Sequence, residues 1–311
     1  MKLFRKWRKV WGVIERDKIA TNAQYIFNLS VNKPNHGYYF GTYEIGEFNF
    51  IRGSLRIVSI YPVEYCTRGC VGLEEQVYFG LREEQPPEDS PHYYLVKLNF
   101  NTDEKPSLQW KKSVPSAILA ILFSGSKLYL GLKTGVLLIW DIDKEECEKV
   151  IYLFDSAISA IYSGIEKIII TSWAGEAVSL SLDGNVVWNT PISDNKINGI
   201  LEDEDSIKFL DINGNFYLID PLSGKIIEDF VWGFGTQSDG STRSNLIIVN
   251  GWYVVTGGAG IWARSVKDLN KSVHKFMSGP FIRTVIPHSR GFFTGDDSGF
   301  IRYWDLMKIR A

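Results

Sequence analysis

Three cysteines in 311 residues, Cys66, Cys70 and Cys147, are too few and too unevenly placed for a disulfide framework, and a reducing compartment is expected. Long apolar runs are missing as well. None approaches the roughly 20 residues that cross a bilayer. The basic opening Met1 to Lys9 is followed within a few residues by Glu15 and Arg16, too soon for the apolar stretch of an export signal. A cytoplasmic protein is therefore expected, with the sequons at Asn28 and Asn270 unglycosylated. Net charge is small: the formal value of −2 leaves no global field to draw the molecule onto nucleic acid or an anionic membrane. Metal ligands are sparse. Cys66 and Cys70 have the spacing of half a zinc site, but His36, His92, His274 and His288 are scattered and no second pair completes four ligands. No metal and no cofactor are expected. Gly257 to Gly260 looks like a phosphate loop only until its context is read, because another strand follows where such a loop needs a helix.

What the chain has in quantity is aromatic residues and glycine, with 10 Trp and 28 Gly, a composition suited to short half-buried strands joined by tight turns. It also repeats. Leu128 to Asp141 and Phe292 to Asp305 each read as a strand, a polar turn with glycine, and a second strand ending in Trp-Asp. Trp140 and Trp304 lie 164 residues apart, four intervals averaging 41, so three weaker copies should lie between. Turn glycines Gly135, Gly175, Gly214, Gly260 and Gly299 mark them, and two further anchors precede, near Tyr93 and at Gly46.

Trp140-Asp141 and Trp304-Asp305, each five residues after a turn glycine, resemble the WD-repeat family. The spacing extends over nearly the whole chain, whereas the full motif stands in two repeats. Elsewhere the Trp-Asp position holds Ile51-Arg52, Leu98-Asn99, Leu180-Ser181, Ile219-Asp220 and Ser265-Val266, and no Gly-His precedes the inner strand. Turns at Asp183-Gly184 and Ser223-Gly224 resemble the quinoprotein type of propeller. The resemblance implies an all-β, seven-bladed β-propeller of four-stranded antiparallel blades, here at about residues 23–60, 66–112, 116–154, 157–191, 197–231, 244–277 and 281–306. A single blade cannot cover both its faces, so the blades must stack in a ring. Since the chain ends after a third strand, residues 9–16 are expected to supply the outer strand of the last blade and close the ring.

In such propellers the turns joining second to third strands and the inter-blade loops share one face. That face would carry Lys133, Trp173, Asp296, Asp297, the insertion Arg82 to His92, the loop Val231 to Ser244 and the run Ser278 to Arg283. Trp173, Trp232, Phe234, Arg243 and Arg283 are the candidate partner contacts, because Trp and Arg dominate interface hot spots. The competing reading of the two Trp is a wedge between blades. Asp141 and Asp305 have a structural role as turn acceptors rather than a catalytic one. Lys2, Arg5, Lys6, Arg8 and Lys9, interleaved with Phe4, Trp7 and Trp11, are candidates for contact with nucleic acid or anionic lipid. No nucleophile, base and orienter occur together, so a non-enzymatic scaffold, a monomer on its own that holds protein partners, is the leading expectation. A quinoprotein-like propeller with an axial site and a non-catalytic subunit of a nucleic-acid complex are the alternatives.

Overall fold

The computed structural model describes residues 9–310, apart from 24–25, 34–35, 52–53, 64, 84–90, 101–104, 204, 233–244, 258–259, 277–280 and 289–290. The described residues form seven four-stranded antiparallel sheets, six of them simple meanders. The first six run from Ile26–Lys33 to Ser54–Pro62, Cys66–Leu73 to Ser107–Val114, Ile118–Ser124 to Glu146–Tyr152, Ile158–Gly164 to Val186–Pro191, Ile197–Glu202 to Ile226–Val231, and Asn245–Val249 to Asp268–Phe276. The seventh blade joins Ile282–Pro287, Gly291–Asp296 and Phe300–Arg310 to the N-terminal strand Lys9–Ala20, so the ring closes as expected. That closing strand runs four residues beyond the expected end, with a bulge between Glu15 and Asp17. Each blade's first strand packs on the first strands of both neighbours, which places all seven around the axis.

Burial explains why the second strands carry the strongest apolar signal. They lie between two neighbouring blades and are covered on both faces, as in Tyr38-Tyr39-Phe40 and Ile168-Ile169-Ile170, all fully buried. Alternation then distributes side chains between neighbours. Phe292 packs with Trp252, Val254 and Val13 on the sixth-blade side, while Phe293 joins Tyr39, Phe48 and Phe50 of the first blade. Outer strands revert to exposed patterns, as at Glu146–Tyr152 and Ile226–Val231.

The turn glycines sit between second and third strands in a left-handed conformation at Gly135, Gly175, Gly214 and Gly299. At Gly175 a Cβ would also lie 1.8 Å from the Ser193 carbonyl oxygen, so the turn is pressed against the loop leaving the same blade. Carbonyls of Gly135, Gly175 and Gly214 in turn accept bonds from Phe154, Ile192 and Trp232, the residues that lead out of the blade. The Gly46 anchor is corrected: it lies within the strand Glu44–Ile51, and the turn is Thr42-Tyr43. A glycine inside a strand had the same spacing as a glycine in a turn. The quinoprotein-like turns do precede outer strands; Gly224 gives the Trp188 ring of the preceding blade room to pack, since a Cβ there would meet it at 2.6 Å.

The two Trp-Asp blades differ inside. Trp304 donates its indole N–H to Thr294 Oγ1 at 2.8 Å, whereas the buried Trp140 indole N–H has no acceptor. Register accounts for this: Leu130 stands on its strand where Thr294 stands on the other, two residues past the partner of the Trp. Trp140 stacks instead on Trp110 at 6.1 Å. Trp304→Phe is therefore expected to destabilise by about 1 kcal/mol more than Trp140→Phe in urea unfolding, because only the first breaks a made bond. Equal losses would contradict the assignment.

Candidate functional site

One backbone register builds the face around the channel mouth. A residue at the end of the second strand or just past it donates its amide to the residue that leads into the first strand of the same blade: Arg82, within Gln76–Glu83, to Tyr65, and then Lys133 to Ala117, Trp173 to Ala157, Ile212 to Lys196 and Asp297 to Phe281. These positions are equivalent and ring the axis. Beside them the first strands carry a bulge near their start, so that Leu119, Ser159 and Arg283 fall out of the pairing with the second strand, as does the longer stretch Thr67 to Gly69. A bulge re-aims a side chain, and here Leu119, Arg283 and Arg68 turn into the mouth.

Together these two registers enclose a cavity of about 340 Å³ lined by Tyr65, Arg68, Arg82, Tyr93, Lys133, Trp173 and Arg283, with Cys66, Thr67, Ala117 and Leu119 beneath. Trp173, 40% exposed, bridges its rim. The Arg68 guanidinium lies 5.9 Å and the Lys196 ammonium 4.9 Å from its ring centroid, cation–π contacts that draw side chains of separate blades together. Arg82 lies 5.9 Å from the Tyr65 ring. Arg283 makes a two-pronged pair with Asp297, its Nη2 donating to Oδ2 at 2.8 Å. Burial pushes the Cys66 thiol well up from its ordinary pKa, so it is held as the neutral thiol.

Of the sequence candidates, Trp173 and Arg283 come together in this mouth, and Lys133 lines it with them. Trp232 does not. It is 2% exposed and packs on Phe216 and Tyr253, and the Arg264 guanidinium covers its ring at 5.3 Å. The expectation of a partner contact at Trp232 is corrected: it occupies the position of Phe154 and Ile192, where the chain leaves a blade and an apolar side chain must seal the gap to the next. Phe234 and Arg243 lie outside the described residues, as do Lys2, Arg5, Lys6 and Arg8; Lys9 begins the closing strand, and its side chain is not described. Asp141 accepts the Lys144 amide at 2.9 Å, a bond that holds its carboxyl below the ordinary range. Asp305 instead pairs with Arg16 of the closing strand at 2.7 Å. A different set of turn acceptors closes the second strands: Asp211 and Asp296, each fully buried and each accepting the amides two and four residues ahead.

Sequence spacing reaches Arg82 only as the start of an insertion and Tyr93 only as the neighbourhood of a repeat anchor, and Tyr65 and Arg68 not at all. Alignment of Arg82 with Lys133 and Trp173 would have marked the first, whereas Arg68 is brought in by a bulge that no spacing displays. Cys66 and Cys70 are buried, and Asn28 Nδ2 donates to Cys70 Sγ at 3.0 Å. Among the described residues no three of His, Cys, Asp and Glu gather in a metal-binding arrangement, and no helix is long and apolar enough to cross a membrane.

No family model and no curated protein matches the chain. Solved structures do. The WD40 β-propeller domain of Doa1 superposes with a TM-score of 0.73 over 95% of this chain and 97% of that one, at 12% identity. The fold is that of a β-propeller, WD40-like in its architecture. The computationally designed Ika8 protein is similar too, at a TM-score of 0.67 and 12% identity over 94% of this chain and 99% of that one. At such identity the WD40-like likeness is one of architecture, and the chemistry at the channel mouth belongs to this chain.

Proposed function

We infer that this chain is a non-enzymatic scaffold of the cytoplasm that holds a protein partner against the loop face at the channel mouth. The observation that carries the reading is the open cavity there, where exposed Trp173 and several cationic side chains converge from separate blades. Trp and Arg are the residues that concentrate binding energy in interfaces, and residues presented from loops on a rigid ring meet a partner with little ordering cost. Similarity to WD40 propellers is consistent with the same use of the fold.

The test is affinity capture from the native cell with the tagged full chain and with a Trp173→Ala, Lys133→Ala variant, both read by quantitative mass spectrometry. Both side chains are exposed, so the variant should melt as the parent does. Partners enriched by the parent are expected to fall about ten-fold or more with the variant. Equal recovery of every partner by the two chains would overturn the reading.

A further inference from the structure

Outer strands carry a bulge, and in two neighbouring blades the extra residue holds an aliphatic side chain in solvent. It is Val187 in the fourth blade and Ile227 in the fifth, where Gln109, Glu148 and Arg16 stand in the second, third and seventh. The residues before the bulge repeat the pattern, with Leu182 and Val186 in the fourth blade matched by Leu222 and Ile226 in the fifth. All six are between 44% and 82% exposed. The two edges are joined here: the Trp188 indole N–H donates to the Pro221 carbonyl at 3.3 Å and its ring packs over Gly224, so the turn with Leu222 abuts the strand with Val186 and Val187. Neither outer strand, Val186–Pro191 or Ile226–Val231, holds Lys or Arg, the residues that commonly guard an open edge. The result is an aliphatic ledge across two blades, and an exposed patch of this kind marks an interaction surface.

Charge narrows the occupant. Beside the ledge Asp183, Glu228 and Asp229 are exposed and have no ion-pair partner among the described residues. Residues 157–231 carry twelve Asp and Glu against four Lys and no Arg. Of those lysines, Lys167 pairs with Glu202, Lys208 pairs with Asp203 and Lys196 lies over the Trp173 ring. Lys149 of the third blade is bonded to the backbone carbonyls of Asp183 and Gly184. A segment that is apolar and cationic therefore fits the ledge, burying its apolar side chains on the aliphatic residues and placing its charges among the carboxylates.

The chain itself supplies such a segment. Lys2, Arg5, Lys6 and Arg8 alternate with Leu3, Phe4 and Trp7, and no acid interrupts them. Eight residues precede Lys9, where the closing strand of the seventh blade begins, and they reach at most about 29 Å. Between that point and the ledge of the same copy stands the sixth blade. Its outer strand Asp268–Phe276 packs beside the closing strand and exposes Lys271 and Lys275, so the path along the rim meets like charge. The ledge of another copy has no such barrier.

We propose that the chain associates head to tail, rather than standing as the monomer expected from the sequence, with residues 2–8 of one copy docked on the ledge of the fourth and fifth blades of a second copy. The contact is heterologous, so each added copy brings a further segment and a further ledge, and assembly grows unless a ring closes. The ledge lies on the outer rim, apart from the channel mouth, and the inference stands or falls independently of the partner-binding reading.

Sedimentation velocity of the full chain over a range of concentrations should show a mass that rises above one chain and falls back as salt is raised. A chain lacking residues 1–8 keeps the closing strand, so it should melt as the parent does and stay a monomer. Val187→Lys with Ile227→Lys, both exposed in the parent, should do the same. Mixed, these two variants should form a one-to-one complex and nothing larger, because one keeps the ledge and the other keeps the segment. A dye-labelled peptide of residues 1–8, read by fluorescence polarisation, should bind the truncated chain at least about ten-fold more tightly than a truncated chain that also carries the two lysines. A monomer at every concentration in low salt, association that survives either change, variants that do not combine, or tighter binding of the peptide to a single-stranded decauridylate than to the truncated chain would each overturn the proposal.

Discussion

A chain lacking residues 1–18 should lose most of its stability, because the last blade would keep three strands and expose its edge. The strand Lys9–Ala20 pairs with Phe300–Arg310 along its whole length, from Lys9 opposite Arg310 to Ala20 opposite Phe300. Val13 is buried with Trp304 and Leu306, and Glu15 holds the Arg302 guanidinium at 2.9 Å. Truncation therefore removes a strand's ladder, apolar burial and one member of a buried charge network in a single step. A domain is stable by only about 5–15 kcal/mol, so a loss of several kcal/mol is expected to lower the melting temperature by about 10 °C or more, or to leave the chain unfolded. Thermal melts of the two chains check this, and an unchanged midpoint would refute the closure. The single change Arg16→Ala should cost less than about 1 kcal/mol, since its pair with Asp305 is half exposed. The difference between the two variants separates the ladder from the surface charge.

The second large effect is expected at Asp296. Its carboxylate is fully buried, with Oδ1 accepting the amides of Ser298 and Phe300 and Oδ2 accepting Arg302 Nε at 2.8 Å. Arg302 is itself only 8% exposed. Asp296→Ala thus leaves two turn amides short of an acceptor and a buried guanidinium with only the more exposed Glu15 as its counter-charge. Breaking one side of a buried pair typically costs about 3–5 kcal/mol. Urea unfolding should show that loss as a shift of midpoint at unchanged slope. Asp296→Asn, which keeps an oxygen for the turn amides and removes the charge, should fall between the parent and the alanine variant. A loss below about 1 kcal/mol for Asp296→Ala would mean the network contributes little.

These two sites show how unevenly the sequence exposes its own structure. The period was legible because it arises from strand burial and turn geometry, both local: every second strand must be apolar on both faces, and every tight turn between second and third strands favours glycine or a small polar residue. The closing strand was legible by counting, since a ring of four-stranded blades that ends on a third strand needs a fourth from the other terminus. Gly46 was misplaced for the same local reason, because a glycine in a strand and one in a turn satisfy the same spacing. Trp232 was misplaced because an aromatic at the end of an outer strand can face solvent or seal a gap, and composition does not say which.

By itself, then, the sequence determined the architecture: seven repeats of about 40 residues, antiparallel blades, and a ring closed by residues near the N-terminus. Only the tertiary structure decided the site. Arg68, Arg82, Lys133, Trp173 and Arg283 lie on four blades and are spread over more than 200 residues of chain; they meet because the ring curves back on itself and because bulges turn side chains of the first strands toward the axis. Burial within a strand is written in neighbouring residues, whereas convergence at an axis depends on the angle between blades, which no local pattern records.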